Sequence, residues 1–221
     1  MATDKIFWKD SYLTRLDTTV AAVDGDDIRL DATIFFAFSG GQESDAGTIG
    51  GCPVLAASKA GLDIVYRLAP GHGLSAGDAV AVAVQIDWDR RYGLMRHHFA
   101  AEMVLQLVYR LEPGIEKVGA HIAPAKARID FARAGNIADL FERLNAETDA
   151  LVAAAKPIVT AFSDEANQRR YWEVEGFSRM GCGGTHPRTT REIGPLHLKR
   201  RNQGKGVERI EITLDAAGPS A

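Results

Sequence analysis

Cysteine is scarce: Cys52 and Cys182 are the only two in 221 residues. A disulfide framework therefore cannot carry the fold. Long apolar runs are missing as well. The longest, such as residues 79–84, fall far short of the ~20 residues that a spanning helix needs, and mean hydropathy is -0.12. No membrane partner is expected. The start, Met1-Ala-Thr-Asp-Lys-Ile-Phe-Trp, lacks the basic and apolar stretches of a secretory signal. The expected compartment is the cytoplasm. Charge of one sign is not in large excess either: 26 Lys and Arg against 29 Asp and Glu leave a formal charge of -3. A polyanionic partner would have to be met by a local basic patch rather than a global field. Internal repeats and low-complexity tracts are absent. What remains is globular composition, 46% hydrophobic and 25% charged, which excludes a disordered chain. The length suits one large domain or two small ones.

Glycine and short apolar runs dominate the first part. Residues 18–23 and 28–30 flank Asp24-Gly25-Asp26 as a hairpin would, and residues 33–36 continue the strand pattern. Ser39-Gly40-Gly41-Gln42, Gly47 and Gly50-Gly51 mark tight turns or close backbone approach. Residues 54–57, 64–68 and 80–86 are further strand candidates. Together they suggest a small barrel or sandwich. Near Asp87 the period changes. Asp87 or Asp89 can cap a helix from Arg90 to about Leu111, with Leu94, His98, Ala101, Leu105 and Val108 on one face. Strands are expected at 118–122 and 127–131, and a second helix from Asn136 to Pro157. A strand at 158–162 should follow, then a short helix capped by Ser163 and Asp164. A loop carrying Cys182 and strands at 193–199 and 207–214 complete the chain. The fold class read from this order is α+β: a small glycine-rich, β-barrel-like domain over 1–88, then an α+β domain over 89–221.

Two short segments carry chemistry. In Arg96-His97-His98-Phe99-Ala100-Ala101-Glu102, residues four apart share a helix face, so His98 and Glu102 aim at one point. In Cys182-Gly183-Gly184-Thr185-His186, a flexible backbone can bring a thiolate and an imidazole to the same ion. His98, Glu102, Cys182 and His186 are a zinc-type donor set of N, S and O. Either segment alone is weak, because helix histidines and free cysteines are usually packing residues.

Three motifs in order resemble the alanyl-tRNA editing proteins of the AlaX type. Thr33-Ile34-Phe35-Phe36 with Ser39-Gly40-Gly41-Gln42 and Asp45-x-Gly47 resembles their glycine-rich motif. The run from Ile86-Asp87-Trp88 through Arg91-Tyr92 and Leu94-Met95-Arg96 to His98 looks like the approach to their first zinc motif. Cys182-Gly183-Gly184-Thr185-His186 with Glu192-Ile193-Gly194-Pro195 is similar to the second. The resemblance covers nearly the whole chain. It implies an N-terminal barrel-like domain, an α+β zinc domain with one Zn2+ per chain, tRNA as partner through the tRNA(Ala) acceptor end, and hydrolysis of Ser-tRNA(Ala) and Gly-tRNA(Ala) by a zinc-activated water.

One position departs from that pattern. The first motif is usually H-x-x-x-H, and here its second place is Glu102. Either Glu102 is the fourth ligand, or His98, Cys182 and His186 hold the ion and Glu102 is the general base. A thiolate and a carboxylate on Zn2+ give a formally neutral centre, which should acidify water less than the usual singly positive one. Thr33 matches a family position that reads the serine hydroxyl, or is a plain strand threonine. Gly40, Gly41, Gln42 and His121 are expected at the substrate pocket or in its framework. Candidate RNA contacts are Arg90, Arg91 and Arg96, then Arg169 and Arg170, and above all Lys199, Arg200, Arg201 and Lys205, the densest cluster. His72 and His197 carry no case beyond packing. A zinc-dependent hydrolase of a small ester or amide, and a tRNA-binding domain that has lost catalysis, are the other functions open to this sequence.

Overall fold

The computed structural model describes residues 2–78 and 82–215. Its first half is almost wholly strand. β1 (Asp4–Lys5), β2 (Arg15–Thr18), β3 (Val20–Asp24), β4 (Asp27–Leu30) and β5 (Ala32–Thr33) come first, then β6 (Gly47–Ile49), β7 (Cys52–Ala60), β8 (Asp63–Leu68) and β9 (Val82–Ile86). The beginning of the expected strand at 80–86 lies outside the described residues. Seven of these strands make one sheet in the order β2-β9-β6-β7-β8-β4-β3, and β1 pairs with β5. The edge strands β2 and β3 are separated along the chain only by Thr19, so the sheet must curl to bring its two edges together. Inside the curl lies a cluster that includes Val20, Ile28, Leu30, Ile49, Ile64, Tyr66 and Leu68. Asp24 pairs with Asp27 across a two-residue turn in which Gly25 takes φ 59°, as the sequence leads one to expect.

The strand expected over 33–36 stops at Thr33. Ile34, Phe35 and Phe36 are buried but not in a ladder. Side chains satisfy their backbone instead. Phe35 N donates to Thr33 Oγ1 (3.0 Å), Tyr66 OH donates to Phe35 O (2.9 Å), and Phe36 N donates to Asp45 Oδ2 (2.7 Å). Arg91 Nη2 donates to Ile34 O (2.5 Å).

α1 (Trp88–Leu111) is capped by Asp87, whose side chain accepts from Arg90 N. The expected stripe is buried, but so are Met95, Phe99 and Leu107 off that stripe. The helix is covered on nearly every side, because it packs on β10 (Glu116–Ala123), β11 (Lys126–Ala132) and α2 (Phe141–Ala154) while its first turn grips the N-terminal half through Arg91. Asn136 caps the 3-10 turn Ile137–Leu140 that leads into α2. β12 (Val159–Asp164), β13 (Arg169–Val174) and β14 (Ser178–Gly181) form a three-stranded antiparallel sheet. β15 (Leu196–Gly204) and β16 (Val207–Leu214) complete a four-stranded sheet in the order β10-β11-β16-β15.

The short helix expected after Ser163-Asp164 is thus a hairpin. Arg170, Trp172 and Val174 are buried in strict alternation, a period of two rather than 3.6. The turn chemistry of Asp164 is local: its carboxylate accepts from Asn167 N and Nδ2 (3.1 and 2.7 Å). The second buried cluster runs from Leu94 to Ile212 and includes Phe99, Val104, Phe131, Leu144, Trp172 and Ile210.

Candidate metal centre

α1 places His98 and Glu102 one turn apart, and the segment after β14 brings Cys182 and His186 over them. One donor atom from each lies within 4.8 Å of all the others. His98 Nε2 is 3.5 Å from Cys182 Sγ and 3.2 Å from Glu102 Oε1, and His186 Nε2 is 2.9 Å from Glu102 Oε2. Donors on a tetrahedral zinc at ~2.0–2.3 Å would be separated by roughly 3.3–3.8 Å. Small movements would bring the set to that spacing, so these four residues fit a metal ion.

The supports explain the convergence. Gly184 passes so close to α1 that a Cβ there would sit 2.0 Å from His98 Cε1, so no side chain can be tolerated at this position. Gln42 is fully buried: its Oε1 accepts from His98 Nδ1 (2.5 Å) and its Nε2 donates to Thr185 Oγ1 (3.0 Å). A proton held on Nδ1 leaves the Nε2 lone pair free to point at the ion. Gly184 N donates to Cys182 Sγ (3.3 Å), and Trp8 Nε1 donates to Gly183 O (2.8 Å), tying the N-terminal segment to the same loop.

The electrostatics are those of a preassembled donor set. For His98 and His186, burial works against the charged form, but Glu102 and Cys182 outweigh it and raise both pKa values. Burial would raise Glu102, yet the two imidazoles hold it far below the ordinary carboxylate range. Burial and Glu102 both push the Cys182 thiol up; His98 and His186 prevail and lower it. A metal ion would therefore compete with protons on the two imidazoles, not with a protonated carboxyl.

His98, Glu102 and Cys182 form part of the wall of a cavity of about 300 Å³. Leu105, Ile122, Ile129 and Met180 give it apolar sides, and Ser39, Gly40 and Lys117 are also at its surface. Of the residues expected at the pocket, Gly40 lines it. Gly41 packs against β10, with Ile122 N donating to its carbonyl (2.8 Å), and Gln42 sits behind His98. Two residues considered for the pocket do not line it. Thr33 is buried in the N-terminal core, its hydroxyl engaged by Tyr66 OH (2.8 Å) and Phe35 N, and it does not line the cavity. His121 alternates with the cavity residues Ala120 and Ile122, so it lies on the other face of β10, 3.3 Å from Glu43. The basic run 199–201 does not form one patch. Strand alternation puts Lys199 and Arg201 on one face and Arg200 on the other, where Glu208 holds it (2.5 and 2.7 Å). Arg201 pairs with Glu211 (3.0 Å), and Lys205 occupies the hairpin turn at φ 51°. Thr185, Met180, Ser39 and Lys117 were not anticipated. Thr185 and Ser39 had a signal, their places inside the Cys182–His186 and Ser39–Gln42 segments.

A buried Gln42 that orients His98 predicts a specific loss. Gln42→Leu should weaken metal affinity about 10–100-fold, read by competition with a chromogenic chelator. Unchanged affinity would remove Gln42 from the support of the site.

Four convergent donors beside a partly open cavity of mixed polar and apolar lining, on an α+β frame, define a candidate metalloprotein. Residues 171–211 match the family described as threonyl and alanyl tRNA synthetase second additional domain. The chain is 31% identical to the alanyl-tRNA editing protein AlaX-M of Methanosarcina barkeri over 96% of its own length and 99% of that protein. It is also 31% identical to AlaX-M of Pyrococcus horikoshii, over 96% and 98%. Similarity extends to the alanine–tRNA ligase of Ignicoccus hospitalis, 30% identical over 95% of this chain but 26% of that enzyme. The chain belongs to the AlaX-type alanyl-tRNA editing proteins.

Proposed function

We propose that this protein hydrolyses the ester bond of mischarged aminoacyl-tRNA in trans, with Ser-tRNA(Ala) and Gly-tRNA(Ala) as substrates and one Zn2+ per chain. The observation that carries the reading is the convergence of His98, Glu102, Cys182 and His186, with the first three in the wall of the 300 Å³ cavity. Family membership supports the same substrate class. Zinc, when bound, supplies Lewis acidity at this point, acidifying water and polarising an ester carbonyl.

The chain's own groups do the rest. Gln42 fixes the His98 tautomer, and Gly184 lets the cysteine loop close over the helix. Leu105, Ile122, Ile129 and Met180 exclude bulk water from the aminoacyl group. Glu102 has two oxygens, one facing His98 and the other His186, and if one held a metal ion the other would be left to accept a proton, so the ligand and base roles are not exclusive of each other. Hydroxyl reading, expected of Thr33, falls on position to groups that line the cavity, Ser39 among them. The division of the chain at residue 88 is part of the same proposal, supported by the two separate hydrophobic clusters.

Side-by-side assay of Ser-tRNA(Ala) and free seryl esters tests the substrate class. Turnover of the tRNA alone is expected. Equal turnover of free esters would favour a small-ester hydrolase, and a metal-loaded protein that binds tRNA without turnover would favour a domain that has lost catalysis. The acceptor stem needs a basic surface, and Lys199 and Arg201 share one face of β15. Lys199→Glu with Arg201→Glu should weaken tRNA binding and lower the salt slope by about 2. An unaltered slope in salt-dependent binding assays would exclude this face.

A further inference from the structure

The metal cluster separates two cavities. His186, 2.9 Å from Glu102 Oε2, lines a second one of about 120 Å³ together with Thr160, Arg170, Arg188 and Lys9. Arg170 is the unusual member. It is 6% exposed, its Nη2 donates to Trp8 O and Thr160 Oγ1 (both 2.9 Å), and its guanidinium lies 5.4 Å from the Trp8 ring and 5.3 Å from the Phe162 ring. Among the described residues no carboxylate pairs with it, and its buried Nε has no hydrogen-bond partner. A guanidinium stays charged at any accessible pH, and the one anionic group that favours its charge is the Cys182 sulfur, which belongs to the metal cluster. His186, another residue lining this cavity, has a second buried atom without a partner, Nδ1. With Nε2 turned to the metal position, Nδ1 would carry the proton and lack the acceptor that usually receives it. Lys9 and Arg188 add cationic groups at the rim, each of which also meets a surface acid, Lys9 with Asp4 (2.7 Å) and Arg188 with Asp10 (3.5 Å). The one acid lining the cavity, Asp10, is already engaged by Tyr12 N (2.9 Å) and Arg188 (3.5 Å).

We propose that this second cavity is a binding site for a phosphate-class oxyanion. Arg170 supplies the buried charge, Arg188 and Lys9 close the rim, and His186 forms the wall shared with the metal centre. Cationic groups come from three separate stretches of chain: Lys9 before β2, Arg170 on β13 and Arg188 after the metal loop. They surround a tetrahedral anion rather than face a planar one. The occupant is either a phosphodiester of a bound RNA or free phosphate. Its negative charge would also sit directly behind one ligand of the formally neutral centre. The inference stands on the cavity and does not rest on the deacylase reading.

The test is calorimetric titration of the metal-loaded full chain with inorganic phosphate, then with a single-stranded RNA trinucleotide. One saturable phosphate site is expected. Arg188→Glu with Lys9→Glu, both exposed positions, should weaken it at least about tenfold without changing metal content, and Arg170→Met should abolish it. If Arg170→Met fails to fold, the rim variant decides. Competition between trinucleotide and phosphate would identify the phosphodiester as occupant; phosphate binding without competition would identify the free anion. Non-saturating heats, or binding untouched by the rim variant, would overturn the proposal. Because binding is read without turnover, its failure leaves the hydrolase assay standing.

Discussion

Glu102→Gln should purify with well under one metal ion per chain and should lose deacylation together with the metal. The carboxylate contacts both imidazoles, at 3.2 Å to His98 and 2.9 Å to His186, and is 6% exposed. An amide of the same shape keeps the packing but removes the negative charge that raises both imidazole pKa values and draws a cation in. Affinity should therefore fall by more than the ~10–100-fold typical when a group that merely supports a ligand is removed. Full metal occupancy with lost turnover would instead give Glu102 the general-base role alone. Glu102→His separates the two further. It restores the H-x-x-x-H pattern and raises the formal charge of a zinc centre from zero to one. Metal should be retained, and the pKa governing the rate should fall, because a more positive centre acidifies water more strongly. Metal analysis and the pH–rate profile read both outcomes.

The second large effect is on stability. Arg91→Met should destabilise the fold by about 3–5 kcal/mol, the range for breaking a buried ion pair from one side. Arg91 and Asp45 both have wholly buried side chains, joined through Nε–Oδ1 (2.8 Å) and Nη2–Oδ2 (2.5 Å). The same guanidinium donates to Ser11 O (2.8 Å) and Ile34 O (2.5 Å), so it anchors three N-terminal segments to the first turn of α1. Those segments carry the glycine-rich turn that presents Gln42 to His98. Denaturant unfolding should show the loss, and metal affinity should fall with it. A variant as stable as the parent would mean that the N-terminal half is held to α1 by apolar contact alone.

How far the sequence could be read depended on the range of each interaction. The pairing of His98 with Glu102 follows from helix spacing, and Cys182 with His186 from a short glycine loop, so both halves of the cluster were legible locally. Their meeting was carried by family resemblance, not by geometry. The Gln42–His98 contact spans 56 residues and left no local signal. Ser163-Asp164 reads as a helix cap because Asp-initiated turns and caps use the same carboxylate–amide bond. The alternation of Arg170, Trp172 and Val174 was the better guide there. Residues 33–36 look like a strand because they are apolar and β-prone; burial needed those properties, while Asp45, Tyr66 and Arg91 met the backbone's hydrogen bonds. Density along the chain also misled at 199–201, where a strand divides neighbours between two faces.

The most direct measurement is deacylation of Ser-tRNA(Ala) by the purified chain before chelation, after removal of metal, and after stoichiometric zinc is returned. Activity should vanish with the metal and return at one zinc per chain, with correctly charged Ala-tRNA(Ala) left intact throughout. Hydrolysis that persists in the fully stripped, folded protein would contradict a centre built on His98, Glu102, Cys182 and His186.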